Sequence, residues 1–130
     1  MILLDTHAIV FDAIAPERLT RRAARAIERA AMEGALACSD ISLWEIAMLT
    51  ARGRLDLGTD AAVFMDKAIQ ARALSVLPIT PAIAVLAQAD IFAHGDPADR
   101  IIASTALCHR AKLVTADEHL HGVKGLPVVW

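Results

Sequence analysis

Five short, mostly apolar runs limit this chain's choice of fold more than any other feature: Ile2–Leu4, Leu36–Cys38, Ser75–Leu77, Lys112–Val114 and Val128–Trp130. Each is long enough for one buried strand and too short for a helix. Between them lie Ala-rich stretches with helical spacing, over 17–33, 41–52, 59–73, 81–90 and 97–110. Strands without polar alternation are covered on both faces, and strands that alternate with helices pair in parallel. The expected fold is therefore α/β, a three-layer α/β/α sandwich around a central parallel sheet. Thr80-Pro81 and Asp96-Pro97 each place a capping side chain before a proline at the first helical position. The breaks at Ala15-Pro16, Arg52-Gly53, Gly58-Thr59 and His94 to Pro97 are local, with no repeat or linker. A length of 130 residues makes this a single domain, 1–130.

Composition narrows the function classes. Hydrophobic residues are 56% of the chain and charged residues 22%, which excludes a disordered chain. So apolar a small domain is expected to hide part of that surface at an interface. The net charge of −2 supplies no overall basic field, so any contact with nucleic acid must be local. Cys38 and Cys108 cannot form a disulfide framework and are expected as reduced thiols. Asp5 ends the first apolar run too early for a signal peptide, and no run of about 18 apolar residues could span a membrane. The expected location is the cytoplasm.

Four acids stand where an open parallel sheet binds ligands, beyond the carboxyl ends of its strands or at helix starts. Asp5 follows the first run and Asp117 follows the fourth. Both also read as turn or cap residues. Glu45 interrupts the apolar stretch Ile41 to Leu49. There it either closes a capping box with Ser42 or faces a cation, because an unpaired buried carboxylate is costly. Asp99 lies in the first turn after Asp96, with Ala103 and Ala106 on its side of the helix. Its bland readings are a dipole partner or an ion pair with Arg100. Four acids from four segments with no matching cations suit a hard divalent ion, Mg²⁺ or Mn²⁺, and such an ion suits phosphodiester hydrolysis.

Competing chemistries find less support. His94, His119 and His121 with two isolated cysteines lack zinc-site spacing. No GxSxG elbow or Gly-rich phosphate loop occurs. Trp44 and Trp130 read as core or interface anchors rather than stacking platforms.

Taken in order, Leu3-Leu4-Asp5-Thr6-His7, Ser42-Leu43-Trp44-Glu45-Ile46-Ala47, His94-Gly95-Asp96-Pro97-Ala98-Asp99-Arg100 and Leu113-Val114-Thr115-Ala116-Asp117 resemble the PIN-domain proteins, and among them the VapC toxins. The resemblance covers essentially the whole chain. It implies an Mg²⁺- or Mn²⁺-dependent ribonuclease, dimeric and restrained by a small VapB-type antitoxin. The implied catalytic and metal-binding residues are Asp5, Glu45, Asp99 and Asp117. Thr6, Thr115 and Asp96 are supporting residues, Thr115 steadying the last acid or a metal-bound water and Asp96 either backing the metal-binding acids or capping its helix. The implied reaction is attack of water on phosphorus, leaving 5′-phosphate and 3′-hydroxyl ends. Two departures stand out: Ala98 replaces the family's usual aromatic, and Met48-Leu49-Thr50 replace a common lysine. That leaves Arg52, Arg54 and Arg100 as the nearest candidates for phosphate contacts. The alternatives on the same fold are an RNA-maturation nuclease and a non-catalytic binding module.

Overall fold

In the computed structural model, residues 1–92 and 95–130 are described. His94 lies outside them. Five parallel strands, β1 (Ile2–Leu4), β2 (Leu36–Ser39), β3 (Ser75–Leu77), β4 (Lys112–Val114) and β5 (Val128–Val129), form one sheet in the order β3-β2-β1-β4-β5. Successive residues of the central strands point to opposite faces, so Leu4, Cys38 and Val114 enter one core layer while Leu3, Ala37 and Leu113 enter the other. The three-layer expectation holds, as do all five strands to within a residue.

Helices α1 (Thr6–Ile14), α2 (Arg21–Met32) and α4 (Ala61–Arg72) contribute Ile9, Ile27 and Phe64 to the first layer. Helix α6 (Pro97–Cys108) contributes Ile102, Ala103 and Ala106 to the second. Helix α3 (Ile41–Ala51) packs against α1, α4 and α6. The capping expectations are met. Thr80 accepts a hydrogen bond from Ile83 N at 3.3 Å to start α5 (Pro81–Leu86), and Asp96 accepts from Asp99 N at 2.9 Å to start α6.

Three helices differ from expectation. Helix α1 is absent from the sequence reading because Thr6–Ile14 shows no polar stripe: its first turns are wedged under the sheet edge, and Thr6, Ala8, Ile9 and Val10 are all buried. The short α7 (Glu118–His121) was likewise unforeseen. The stretch 81–90 is helical only to Leu86, with a 3₁₀ turn at Asp90–Phe92.

This topology fixes where a ligand can bind. The chain builds outward from β1 through β2 to β3, then returns to add β4 and β5 on the other side. The order reverses between β1 and β4, and a crevice opens at the carboxyl ends of those two strands. Asp5 follows one and Asp117 lies just beyond the other.

The second core layer is thin and closely filled, with Ile102, Leu3 and Leu113 all fully buried. Ile102→Ala should therefore cost about 2–5 kcal/mol and lower the thermal midpoint by roughly 10 °C. A midpoint within about 2 °C of the parent would show that the layer collapses to fill the cavity.

Candidate metal centre

Helix starts place the acids. Asp5 is the N-cap of α1, its Oδ1 accepting from Ala8 N at 2.7 Å. Asp117 is the N-cap of α7, accepting from His119 N at 2.9 Å, and Asp96 caps α6 in the same way. The bland reading of Asp5 and Asp117 as caps is thus correct and incomplete. One oxygen of each is committed to backbone, and both residues line a cleft with their remaining surface.

The capping alternative fails for Glu45, whereas Asp99 does occupy the helix-dipole position, in the first turn of α6. Helix α3 starts after Asp40, so Ser42 lies inside it, fully buried, with its Oγ 3.0 Å from Thr6 Oγ1. No capping box forms around Glu45. Asp99 occupies the first turn of α6, but Asp96 supplies the cap. Nor does Arg100 pair with Asp99: its Nε is buried without a hydrogen-bond partner.

The cleft has a volume of about 110 Å³ and is lined by Asp5, Glu45, Asp96, Asp99 and Asp117 together with Thr6 and His7. All four acids expected at the site therefore meet, joined by Asp96. Pockets that enclose organic ligands run to about 300–1,000 Å³, so this volume suits an ion with its water. Glu45, Asp96 and Asp99 can bring one carboxylate oxygen each within 4.8 Å of one another. Among the described residues this is the one such grouping, and it contains no His or Cys. Asp96, expected only as a supporting cap, belongs to this tight group, while Asp5 and Asp117 share the cleft without joining it. No Lys or Arg lines the cleft among the described residues. Arg52 is the C-cap of α3, seven residues or about 10 Å of helical rise from Glu45.

Crowding without cations shifts the acids as electrostatics requires. Burial, then the charges of Asp96, Asp117 and Glu45, push Asp99 from the ordinary 3.8 up to about 8. Burial also raises Asp5, opposed by the Thr115 hydroxyl, the Ala8 N–H and His7. Glu45 is raised chiefly by burial and then by Asp96, against the Thr6 hydroxyl and His7. Such a site gains most from a divalent cation.

Thr6 and Thr115 both lie against the acids. Besides its effect on Asp5, Thr115 Oγ1 accepts from Asp117 N at 3.1 Å. His121 Nε2 lies 2.8 Å from the Thr115 carbonyl oxygen, tying α7 to the turn that carries Asp117. His7 was given no role in the sequence reading. Its signal was position alone, one residue after Thr6 in a first turn that faces the cleft. Its ring lies 6.0 Å from that of Phe11, and Arg18 sits 4.4 Å over the same Phe11 ring.

A five-stranded parallel sheet between helices, with an acidic cleft at its switch point, defines a small three-layer α/β/α protein. Residues 2–126 match the PIN domain, and the chain belongs to the PIN domain family. It is 36% identical over 120 residues to ribonuclease VapC22 of Mycobacterium tuberculosis, covering 92% of this chain and 88% of that protein. Its fold is similar to that of VapBC2 from Rickettsia felis bound to a promoter DNA fragment, with TM-score 0.74 and 18% identity over 98% of this chain and 97% of that one. It is also similar to a toxin–antitoxin complex from Klebsiella pneumoniae, with TM-score 0.60 and 22% identity over 97% and 95% of the two chains.

Proposed function

We propose that this protein is a Mg²⁺-dependent ribonuclease, with Mn²⁺ an acceptable substitute, and the toxin of a VapBC-type pair. The observation that carries this reading is five carboxylates in one cleft with no Lys or Arg among the described residues that line it, three of them able to share an ion. The likeness to a VapC ribonuclease supports the choice of RNA. A non-catalytic module on this fold has no need to keep the acid set, and here it is complete.

Glu45, Asp96 and Asp99 would hold the cation, with Asp5 and Asp117 in the same cleft. When bound, the ion neutralises charge building on the phosphodiester and favours attack by water. The residues do the rest. A carboxylate of the cleft accepts a hydrogen bond from the attacking water and so fixes its direction along the P–O3′ axis. The water oxygen bonds to phosphorus as one of its protons passes to that carboxylate, the P–O3′ bond breaks with its electron pair on the 3′-oxygen, and the 3′-oxygen takes a proton from solvent. The products carry 5′-phosphate and 3′-hydroxyl ends. The N-termini of α1, α6 and α7 all meet this cleft, and their partial positive charge favours the carboxylates that cap them.

The direct test is cleavage of total RNA by purified protein in millimolar Mg²⁺ and again in EDTA. Cleavage in Mg²⁺ alone is expected, and equal cleavage in both would contradict the reading.

Exposed apolar side chains support a partner. Trp44 is 59% exposed, Val85 74% and Met32 86%, with Ile14, Val63, Ile79 and Ile91 also exposed. Of the two roles expected for Trp44, core and interface, only the second fits. We infer that a homodimer contact and a small VapB-type antitoxin cover these positions in the cytoplasm. Light scattering should give twice the chain mass, and co-expression with a small neighbouring gene should yield a tight complex. A monomer at high micromolar concentration that binds no such product would refute this.

A further inference from the structure

The edge of the sheet opposite the acidic cleft carries the reverse charge. A second cleft, about 470 Å³ in volume, runs along α2 and the amino ends of β1 and β4. Its walls include Arg22, Arg25, Arg29, Arg110 and Lys112, with Glu33 as the single carboxylate. Five of the chain's 13 basic residues thus meet in one place on a protein of net charge −2. All five side chains are exposed, and among the described residues none takes part in an ion pair. Glu28 on the same helix is paired with Arg72 at 2.9 Å. Arg110 has a left-handed backbone, φ +53°, where glycine would be unstrained.

We propose that this cleft is a second, non-catalytic contact for RNA that grips the phosphate backbone. The choice of RNA rests on the ribonuclease reading above. The acidic cleft repels a polyanion, so affinity has to come from elsewhere on the surface. Arg22, Arg25 and Arg29 form one stripe along α2, rising about 4.5 and 6 Å between members. From Arg22 to Arg29 the stripe spans about 10 Å, more than a single phosphate needs. Four of the five cations are arginine, whose planar fork matches phosphate oxygens. Among the described residues no aromatic side chain lines the cleft, so it offers charge without base stacking and should bind without regard to sequence.

The test measures binding of a fluorescein-labelled single-stranded RNA 30-mer to the full chain in EDTA, over a salt series. Arg22→Ala/Arg25→Ala/Arg29→Ala should weaken binding at least about tenfold, and lower the slope of log K against log salt by about 2. The loss should be equal for two unrelated RNA sequences. The triple lysine replacement should recover most of it. Arg110→Ala/Lys112→Ala, on different elements, should weaken binding in the same direction, which keeps the result readable should the α2 variant misfold. Unchanged affinity and slope in both sets would overturn the proposal. So would intact RNA binding with loss of the complex with a co-expressed antitoxin, which would make this a protein-docking face. Cleavage of the same 30-mer in Mg²⁺ is scored separately. Wild type that binds but never cleaves fails the nuclease reading while leaving this contact standing.

Discussion

Asp99→Ala should reduce Mg²⁺-dependent RNA cleavage by more than about a hundredfold, a loss of roughly 2.7 kcal/mol of transition-state stabilisation. Asp5→Ala and Glu45→Ala should fall in the same range. Each removes one of the five carboxylates that line the cleft. Saturating Mg²⁺ should not rescue them. A variant that keeps more than about a tenth of wild-type activity would place its residue outside the metal site, because that loss is only about 1.4 kcal/mol. Asp96 needs a finer comparison, since it is both the α6 cap and a member of the tight carboxylate group. Asp96→Ala should lose both roles, the cap costing about 1 kcal/mol of stability. Asp96→Asn restores the cap without the charge. Restored stability with activity still low identifies a metal ligand, whereas full recovery of both reduces Asp96 to its cap.

The second large effect is on stability, and its sign follows from the raised carboxyls. Asp5, Glu45 and Asp99 all lie above their ordinary values in the folded protein. The native state therefore binds more protons than the unfolded chain. Stability is full below the ordinary carboxyl range near 4 and falls as pH rises toward about 8, where Asp99 titrates. Mg²⁺ binds only the folded site, and it has fewer protons to displace at pH 8 than at pH 6. The gain in melting temperature from millimolar Mg²⁺ over EDTA should be several degrees larger at pH 8. Asp99→Asn, relieved of one repelling charge, should melt higher than wild type in EDTA at pH 8 and gain less from Mg²⁺. Equal gains at both pH values, together with a destabilised Asp99→Asn, would make Asp99 a helix-dipole residue.

Much of this is legible in the amino-acid sequence because the sheet is buried on both faces. Buried parallel strands read as uninterrupted apolar runs, and the acids that end them stand out as departures. Glu45 was legible for the same reason, a charge inside an apolar helix. Helix α1 was not, because tertiary burial removed the polar face that marks a surface helix. The part played by Asp96 was hidden by its capping role, which the motif explains fully on its own. That Asp96 approaches Glu45 depends on α3 and α6 packing side by side, which one-dimensional spacing does not carry. The basic cleft was missed for a related reason. Arg110 and Lys112 are some 80 residues from the arginines of α2, and only the return of β4 to the side of β1 unites them.

The central claim is that the acidic cleft hydrolyses RNA by metal-assisted attack of water, and mapping of RNA ends tests it most directly. Cells induced for wild type and for Asp5→Asn would be compared by sequencing of 5′-phosphate and 3′ ends. Wild type should generate new 5′-phosphate ends paired with 3′-hydroxyl ends at a small set of positions, and Asp5→Asn should generate none. The same ends in both, or ends carrying 2′,3′-cyclic phosphate that mark attack by the RNA's own 2′-hydroxyl, would contradict it.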